Sequence, residues 1–101
     1  MSQQLFKQKL SISQILCVYG KQFIQITGRY SDGHNGRCAI GVLMSSYGWN
    51  GKDDSHAGKK LLGVLIALRH ADIDKNLLID MNDSGFTFNE IADYLDRNNE
   101  L

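Results

Sequence analysis

Apolar residues recur mostly at steps of three and four along this chain, which is the pattern of amphipathic helices. The first set begins at Leu5 and extends to Tyr19, and Gly20 is well placed to end it. Ser11 or Ser13 could cap a second helix inside this set, because serine side chains accept hydrogen bonds from the first free amides. The pattern therefore predicts one helix or two short helices in this region.

Residues 23–37 have a different pattern, in which β-branched and aromatic side chains alternate with polar ones. The turn that follows the alternation, SDGHNG at 31–36, contains an Asp-Gly and an Asn-Gly pair. Both pairs tolerate a positive φ and favour a tight turn. This region therefore predicts a short β-like hairpin.

The next apolar segment predicts a buried helix at about 37–47 that ends at Gly48. Gly41 lies inside this helix, where glycine costs roughly 1 kcal/mol relative to alanine. We therefore expect the backbone of another segment to lie close to Gly41. Trp49 follows in a loop and is expected to fold back onto the core, where its indole N–H requires an acceptor.

Residues 57–70 are apolar almost all round, which is typical of a helix that is buried on every side. The pattern places this helix at the centre of the bundle, with Ser55 available as its cap. Arg69 and His70 suit its C-terminal end, where positive charge interacts favourably with the helix dipole.

Two shorter helices, at 75–81 and 88–97, complete the prediction. The chain of 101 residues is then a single, mainly α-helical domain spanning 1–101, a small bundle of four or five helices. The predicted core consists of Leu16, Cys38, Val42, Leu43, Leu61, Leu62, Leu65, Leu68, Leu78, Ile91 and Leu95.

Residues 80–85 read D-x-N-x-S-G, which is how an EF-hand calcium loop begins. Such a loop requires a bidentate carboxylate at its twelfth position, which Ile91 occupies here, while the nearest acid lies one position earlier. Because the first half of the loop matches but its last ligand does not, a calcium-binding module is an alternative function and not the favoured one. It would use the oxygen atoms of Asp80, Asn82, Ser84 and Glu90.

The same stretch carries the signature of a helix start. Thr87 and Glu90 have the spacing of a capping box, and Phe86 and Ile91 have that of a hydrophobic staple. Both devices are in register and need no metal, and a threonine cap contributes about 1 kcal/mol. We therefore favour structural capping over calcium and predict no metal and no cofactor.

Charge and hydropathy exclude several classes of partner. Eleven basic residues balance eleven acidic ones, so the surplus of positive charge on which nucleic-acid binding rests is absent. No apolar run approaches the ~20 residues that span a bilayer, and MSQQLFKQKL lacks the pattern of a signal peptide. We expect a cytoplasmic protein that binds neither nucleic acid nor a membrane.

Cys38 is the centre of a second alternative function, a thiol-dependent enzyme. His34 lies four residues upstream, and His56 and His70 lie elsewhere in the chain. A thiol and an imidazole can act as nucleophile and base, but no oxyanion donor or orienting carboxylate is identifiable, so a buried cysteine is favoured. The spacing of Cys38 and these histidines matches none of the compact zinc patterns.

Aromatic residues around the loop after Gly48 suggest a contact surface for a protein partner, consisting of Trp49, Tyr30 and Tyr47. Because no coherent catalytic set is present, the favoured function is a non-catalytic accessory or protein-interaction domain. Its partner would be another protein or a second copy of the chain.

Three elements together resemble a group of small prokaryotic and viral helical domains: GRCAIGVL at 36–43, the apolar helix 57–70, and MNDSGFTFNEIADYL at 81–95. The group carries a G-x-C-A-[LI]-G-x-L helix and a late N-D turn before an [ST]-F-x-E-[IV]-A helix. The resemblance implies a single helical domain and no established activity. It also implies that Asn82 and Asp83 form the turn before the last helix.

Overall fold

The computed structural model of the chain describes residues 10–98, except for the side chains of residues 54 and 55. Five helices and two short strands lie within these residues, which confirms the mainly α fold and the β-like segment. In chain order they are α1 (Ile12–Gly20), β1 (Ile24–Gln25), β2 (Gly36–Arg37), α2 (Ala39–Ser46), α3 (Asp54–His70), α4 (Lys75–Asp83) and α5 (Phe88–Asn98).

The first helix begins and ends as the local residues dictate. The Ser11 hydroxyl accepts from the Gln14 N–H at 3.2 Å, and the Gln14 side chain accepts from the Ser11 N–H at 2.8 Å, so Ser11 is the cap. Ser13 instead donates to Asp96 of α5 at 2.5 Å. Gly20 ends α1 and packs directly against the Phe88 ring, where a Cβ atom would lie 2.8 Å from the ring edge. Leu5 lies outside the described residues.

The β-like segment is present, and its strands pair in parallel, with Ile24 opposite Gly36. The segment at Ser31 runs antiparallel to Arg37, so the chain reverses direction twice between the strands and β2 runs in the same direction as β1. In that turn the Asp32 carboxylate accepts the N–H groups of His34 at 2.8 Å and Gly36 at 3.0 Å. These main-chain donors lower the pKa of Asp32, the His34 N–H most strongly.

The centre of the bundle is α2, and the prediction that the helix at 57–70 lies there is wrong. All residues of α2 from Ala39 to Met44 are buried, and α2 contacts α1, α3, α4 and β2, whereas α3 packs chiefly against α2. A helix with one main neighbour buries one face. Most of the predicted core is confirmed, but Leu61 and Leu65 are only partly buried and Leu62 is exposed.

The loop after α2 is fixed by Trp49. Its side chain is buried, and its indole N–H donates to the Asp53 carbonyl at 3.1 Å, so the expected acceptor is found. The Asp53 carbonyl also accepts the His56 N–H at 3.2 Å, in the first turn of α3. Because α3 already begins at Asp54, Ser55 lies inside the first turn, and its prediction as the cap is wrong.

Three helices end in the same way, with a left-handed residue after the last turn. The hydrogen bonds at each end are those of a Schellman motif. The N–H of the left-handed residue donates to the carbonyl three residues earlier, and the N–H of the following residue donates to the carbonyl five residues before it. The left-handed residues are Gly48 after α2, Asp72 after α3 and Gly85 after α4. The glycine that suggested an EF-hand is therefore the residue that ends α4.

Replacing Asp72 with glycine is expected to stabilise the fold by about 0.5–1 kcal/mol, because Asp72 holds φ = 60° where glycine has no steric penalty. Denaturation by urea measures this change. Asp72→Ala is the matched control, since alanine meets the same steric penalty without the polar side chain that helps aspartate adopt this conformation. Equal effects of both substitutions would show that the backbone conformation is not the cause.

The last helix matches its prediction closely. The Thr87 hydroxyl accepts from the Glu90 N–H at 3.0 Å, and the Glu90 carboxylate accepts from the Thr87 N–H at 2.9 Å, which confirms the capping box. The apolar face of α5, formed by Phe88, Ile91, Ala92 and Leu95, is buried. Phe86 is nearly half exposed, so the hydrophobic staple between Phe86 and Ile91 stays a prediction. The Phe86 N–H donates to the Met81 carbonyl at 3.1 Å.

Candidate interaction surface

Asn82 is the most buried polar side chain among the described residues, at 1% exposed. Its Oδ1 atom accepts the Ala39 N–H at 3.0 Å, and its Nδ2 atom donates to the Ile26 carbonyl at 2.8 Å. Asn82 therefore joins the start of α2 and the end of β1 to α4. The expectation that Asn82 forms a turn is wrong, because α4 continues to Asp83 and the side chain reaches groups distant in sequence.

Gln25 extends this network to α5. Its Nε2 atom donates to Asn82 Oδ1 at 2.8 Å and to the Phe86 carbonyl at 2.7 Å, while its Oε1 atom accepts the Phe88 N–H at 3.1 Å. One amide side chain thus satisfies groups on both sides of the α4–α5 connection. We assign the Gln25–Asn82 pair a structural role, since its polar atoms are used within the fold.

The four oxygen ligands considered for calcium are not brought together. Asp80 and Asn82 are two residues apart on α4 and therefore point to different sides of the helix, Asp80 being exposed and Asn82 buried. Ser84 is the C-cap of α4, and the Glu90 carboxylate accepts the Thr87 N–H. Within residues 10–98 the structure contains no cluster of three His, Cys, Asp or Glu side chains that could hold a metal.

Cys38 is the N-cap of α2, where its Sγ atom accepts the Gly41 N–H at 3.5 Å. Burial raises the pKa of this thiol, which opposes formation of the nucleophilic thiolate. No hydrogen bond joins it to the His34 ring in the described part of the chain. The other histidines are dispersed: His56 pairs with Asp53 at 2.6 Å, and His70 is exposed at the end of α3.

Arg37 is a buried cation that sequence reasoning missed, because a lone arginine beside glycine carries no signal of burial. Its guanidinium lies 4.4 Å from the Phe23 ring centroid and 5.8 Å from that of Trp49. Burial lowers the pKa of Arg37. Its hydrogen bonds hold the turn 31–36 and the loop after α2 together, with acceptors Ser45 Oγ, Ser31 Oγ and the carbonyls of His34, Gly36 and Asn50.

The predicted aromatic surface is only partly present. Trp49 is buried against Arg37 and does not belong to an exposed surface, which corrects that expectation. Tyr30 is partly buried, and its carbonyl lies under α2. Tyr47 is 39% exposed, and its ring lies over Gly63 of α3, 3.1 Å from where a Cβ atom would be. Tyr47 is thus the member of this set that joins the outer side of α3.

Two large exposed apolar side chains lie on α3, and sequence reasoning placed one of them, Leu62, in the core. Leu62 is 57% exposed and Ile66 is 50% exposed, four residues apart and therefore on one side of the helix. Together with Tyr47 they form what we call the α3 surface. The signal was visible in the sequence as a helix apolar all round, but that pattern does not distinguish a central helix from one that presents an apolar face to a partner.

A groove of about 820 Å³ borders the α3 surface and separates α3 from α1. Its walls are mostly apolar and include Leu10, Ile15, Tyr19, Ile66 and Ala67. The hydrogen-bonded pair Ser13 and Asp96 lies at the α5 side of the groove, where it fixes α1 to α5. The arrangement offers an apolar contact with polar groups at its edge, as protein-binding surfaces do.

Positive charge borders the same side of α3. Lys59 is exposed before Leu62, and Arg69 is exposed in the last turn. None of the described helices is both long and apolar enough to cross a membrane. A scan against protein-family models, a search of curated proteins and a search of solved structures each found no match.

Proposed function

We propose that the chain is a small cytoplasmic, non-catalytic accessory or protein-interaction domain and that the α3 surface is its contact site. The observation that carries the proposal is the exposure of Leu62 and Ile66, of which Ile66 also lines the apolar groove. Isolated exposed apolar residues are ordinary, but here two large aliphatic side chains lie four residues apart on one helix, against which the ring of Tyr47 also packs, and such grouping is typical of interaction sites.

Energetics support an interaction role for α3. Burying a fully exposed aliphatic side chain contributes about 1.5–3 kcal/mol, so Leu62 and Ile66, each about half exposed, would together contribute about as much as one such side chain. Tyr47 adds an aromatic side chain whose ring already packs against Gly63 of α3, and packing in the free chain lowers the entropy lost on binding. We further propose kinship with the small helical domains that share the G-x-C-A-[LI]-G-x-L helix.

The proposal is tested by substituting the α3 surface in a tagged chain used for chemical cross-linking and capture. Leu62→Lys and Ile66→Glu are expected to abolish complexes that the wild type forms, while circular dichroism shows unchanged helix content because both side chains are exposed. Val18→Lys is the matched control, since Val18 is an equally exposed aliphatic side chain on α1 that does not line the groove. Complexes that survive both α3 substitutions, or none with the wild type, would contradict the proposal.

A further inference from the structure

The groove between α1 and α3 extends to the residue at which the described part of the chain begins. Leu10 is that residue; its side chain lines the groove and is 40% exposed. Ser11 is extended, with φ = −72° and ψ = 167°, so the chain before it leaves the path of α1. We propose that residues 6–9 cover the groove and that the Phe6 ring is seated in it beside Ile66. The inference does not rest on the proposed function, since it concerns a contact within one chain.

The spacing of Phe6 and Leu10 is the first argument. Side chains four residues apart share one face both in a helix and in a strand. Phe6 is therefore on the same side of the chain as Leu10 in either conformation, at about 6 Å along a helix or about 13 Å along a strand. Leu5 shares that side in neither conformation. Because the side chain of Leu10 already lines the groove, the ring of Phe6 is directed toward the same walls.

The chemistry of the walls is the second argument. They are mostly apolar, as an aromatic ring requires, and their ionisable side chains are Asp96, His70 and two tyrosines. No lysine or arginine lines the groove, so Lys7 and Lys9 on either side of Gln8 meet no like charge from those residue types there. Within the described part of the chain, Asp96 forms no ion pair with a lysine or arginine. The groove thus presents an acidic edge to a basic segment with one aromatic side chain.

Covalent attachment is the third argument, because it favours this segment over a separate partner. A tethered segment meets its site at an effective concentration on the order of millimolar. A free ligand must also lose its translational and rotational freedom on binding. The groove and the α3 surface share Ile66, so the seated segment covers the α3 surface at that residue and leaves Leu62 exposed.

Nuclear magnetic resonance of the isotope-labelled full chain tests the inference. The Phe6 ring should give nuclear Overhauser contacts to the methyl groups of Ile66 and Ala67, which line the groove, and its ring current should shift their signals. Phe6→Lys removes the ring and should abolish that shift. The methyl signals of Leu78, which is fully buried, should stay in place in the variant and show that the core is intact.

Leu5→Lys is the matched control, because it adds the same charge one residue away on another side of the chain. It should leave the signals of Ile66 and Ala67 unchanged. The contact is intramolecular, so no shift should depend on chain concentration. Absence of contacts from Phe6 to the groove, an equal effect of Leu5→Lys, or a shift that grows with concentration would each overturn the inference. Capture of a partner through Leu62 is a separate result, because Leu62 does not line the groove.

Discussion

Replacing Gly41 with alanine is expected to lower the free energy of unfolding by about 2–3 kcal/mol. The added methyl group would overlap the carbonyl oxygen of Tyr30, which is a main-chain atom and cannot rotate away. The same carbonyl accepts the Cys38 N–H at 3.3 Å, so a shift that relieved the overlap would lengthen this bond. Alanine gains about 1 kcal/mol in helix propensity, which is less than the cost of the overlap.

Gly58→Ala is the matched control for this prediction. Gly58 is also a helical glycine, but its Cβ position is open, so alanine there should stabilise the chain by about 1 kcal/mol. Both variants are compared with the wild type by urea denaturation. A Gly41→Ala variant as stable as Gly58→Ala would show that the Tyr30 carbonyl does not approach α2 as closely as the structure places it.

The ends of the helices were the most predictable part of the fold, because they depend on neighbouring residues. Gly48 ends α2 in the left-handed conformation, and Thr87 and Glu90 cap α5 reciprocally, as their types and spacing predicted. Asp72 ends α3 by the same motif but was not foreseen, since aspartate adopts this conformation less often than glycine. Local chemistry predicts a cap only where the residue type is strongly specific for it.

The position of each helix in the bundle was less predictable. The apolar pattern of α3 indicated burial on every side, whereas α2, which is only eight residues long, occupies the centre. Periodicity shows how much of a helix is apolar but not which neighbour covers it. The exposed Leu62 is therefore the main error of the sequence-based core, and together with the exposed Ile66 it is the main observation behind the candidate site.

The polar contacts inside the fold could not be predicted, because they join residues far apart in the chain. Asn82 and Ala39 are 43 positions apart, and Gln25 and Phe88 are 63 positions apart. One signal was available: Asn82 follows Leu78 by four residues and so lies on the apolar face of α4. A polar residue on such a face indicates a buried hydrogen-bonding role but does not identify the partners.

Asn82→Ala is expected to destabilise the fold by about 3 kcal/mol, because it leaves a buried N–H and a partly buried carbonyl without their partner. The Ala39 N–H lies at the start of the central helix and loses its acceptor, and the Ile26 carbonyl loses its donor. Gln25 retains the Phe86 carbonyl as an acceptor, so its amide is not stranded. Urea denaturation gives the total effect, and faster hydrogen exchange at the Ala39 amide should identify its source.

Two further variants separate hydrogen bonding from lost volume at Asn82. Asn82→Leu fills the space but restores no hydrogen bond, so it should remain at least about 2 kcal/mol less stable than the wild type. Asp83→Ala, at the exposed neighbouring position, should change stability by less than about 0.5 kcal/mol. If Asn82→Leu were as stable as the wild type, packing rather than hydrogen bonding would hold α4 against β1 and α2. The alanine effect would then be due to the cavity alone.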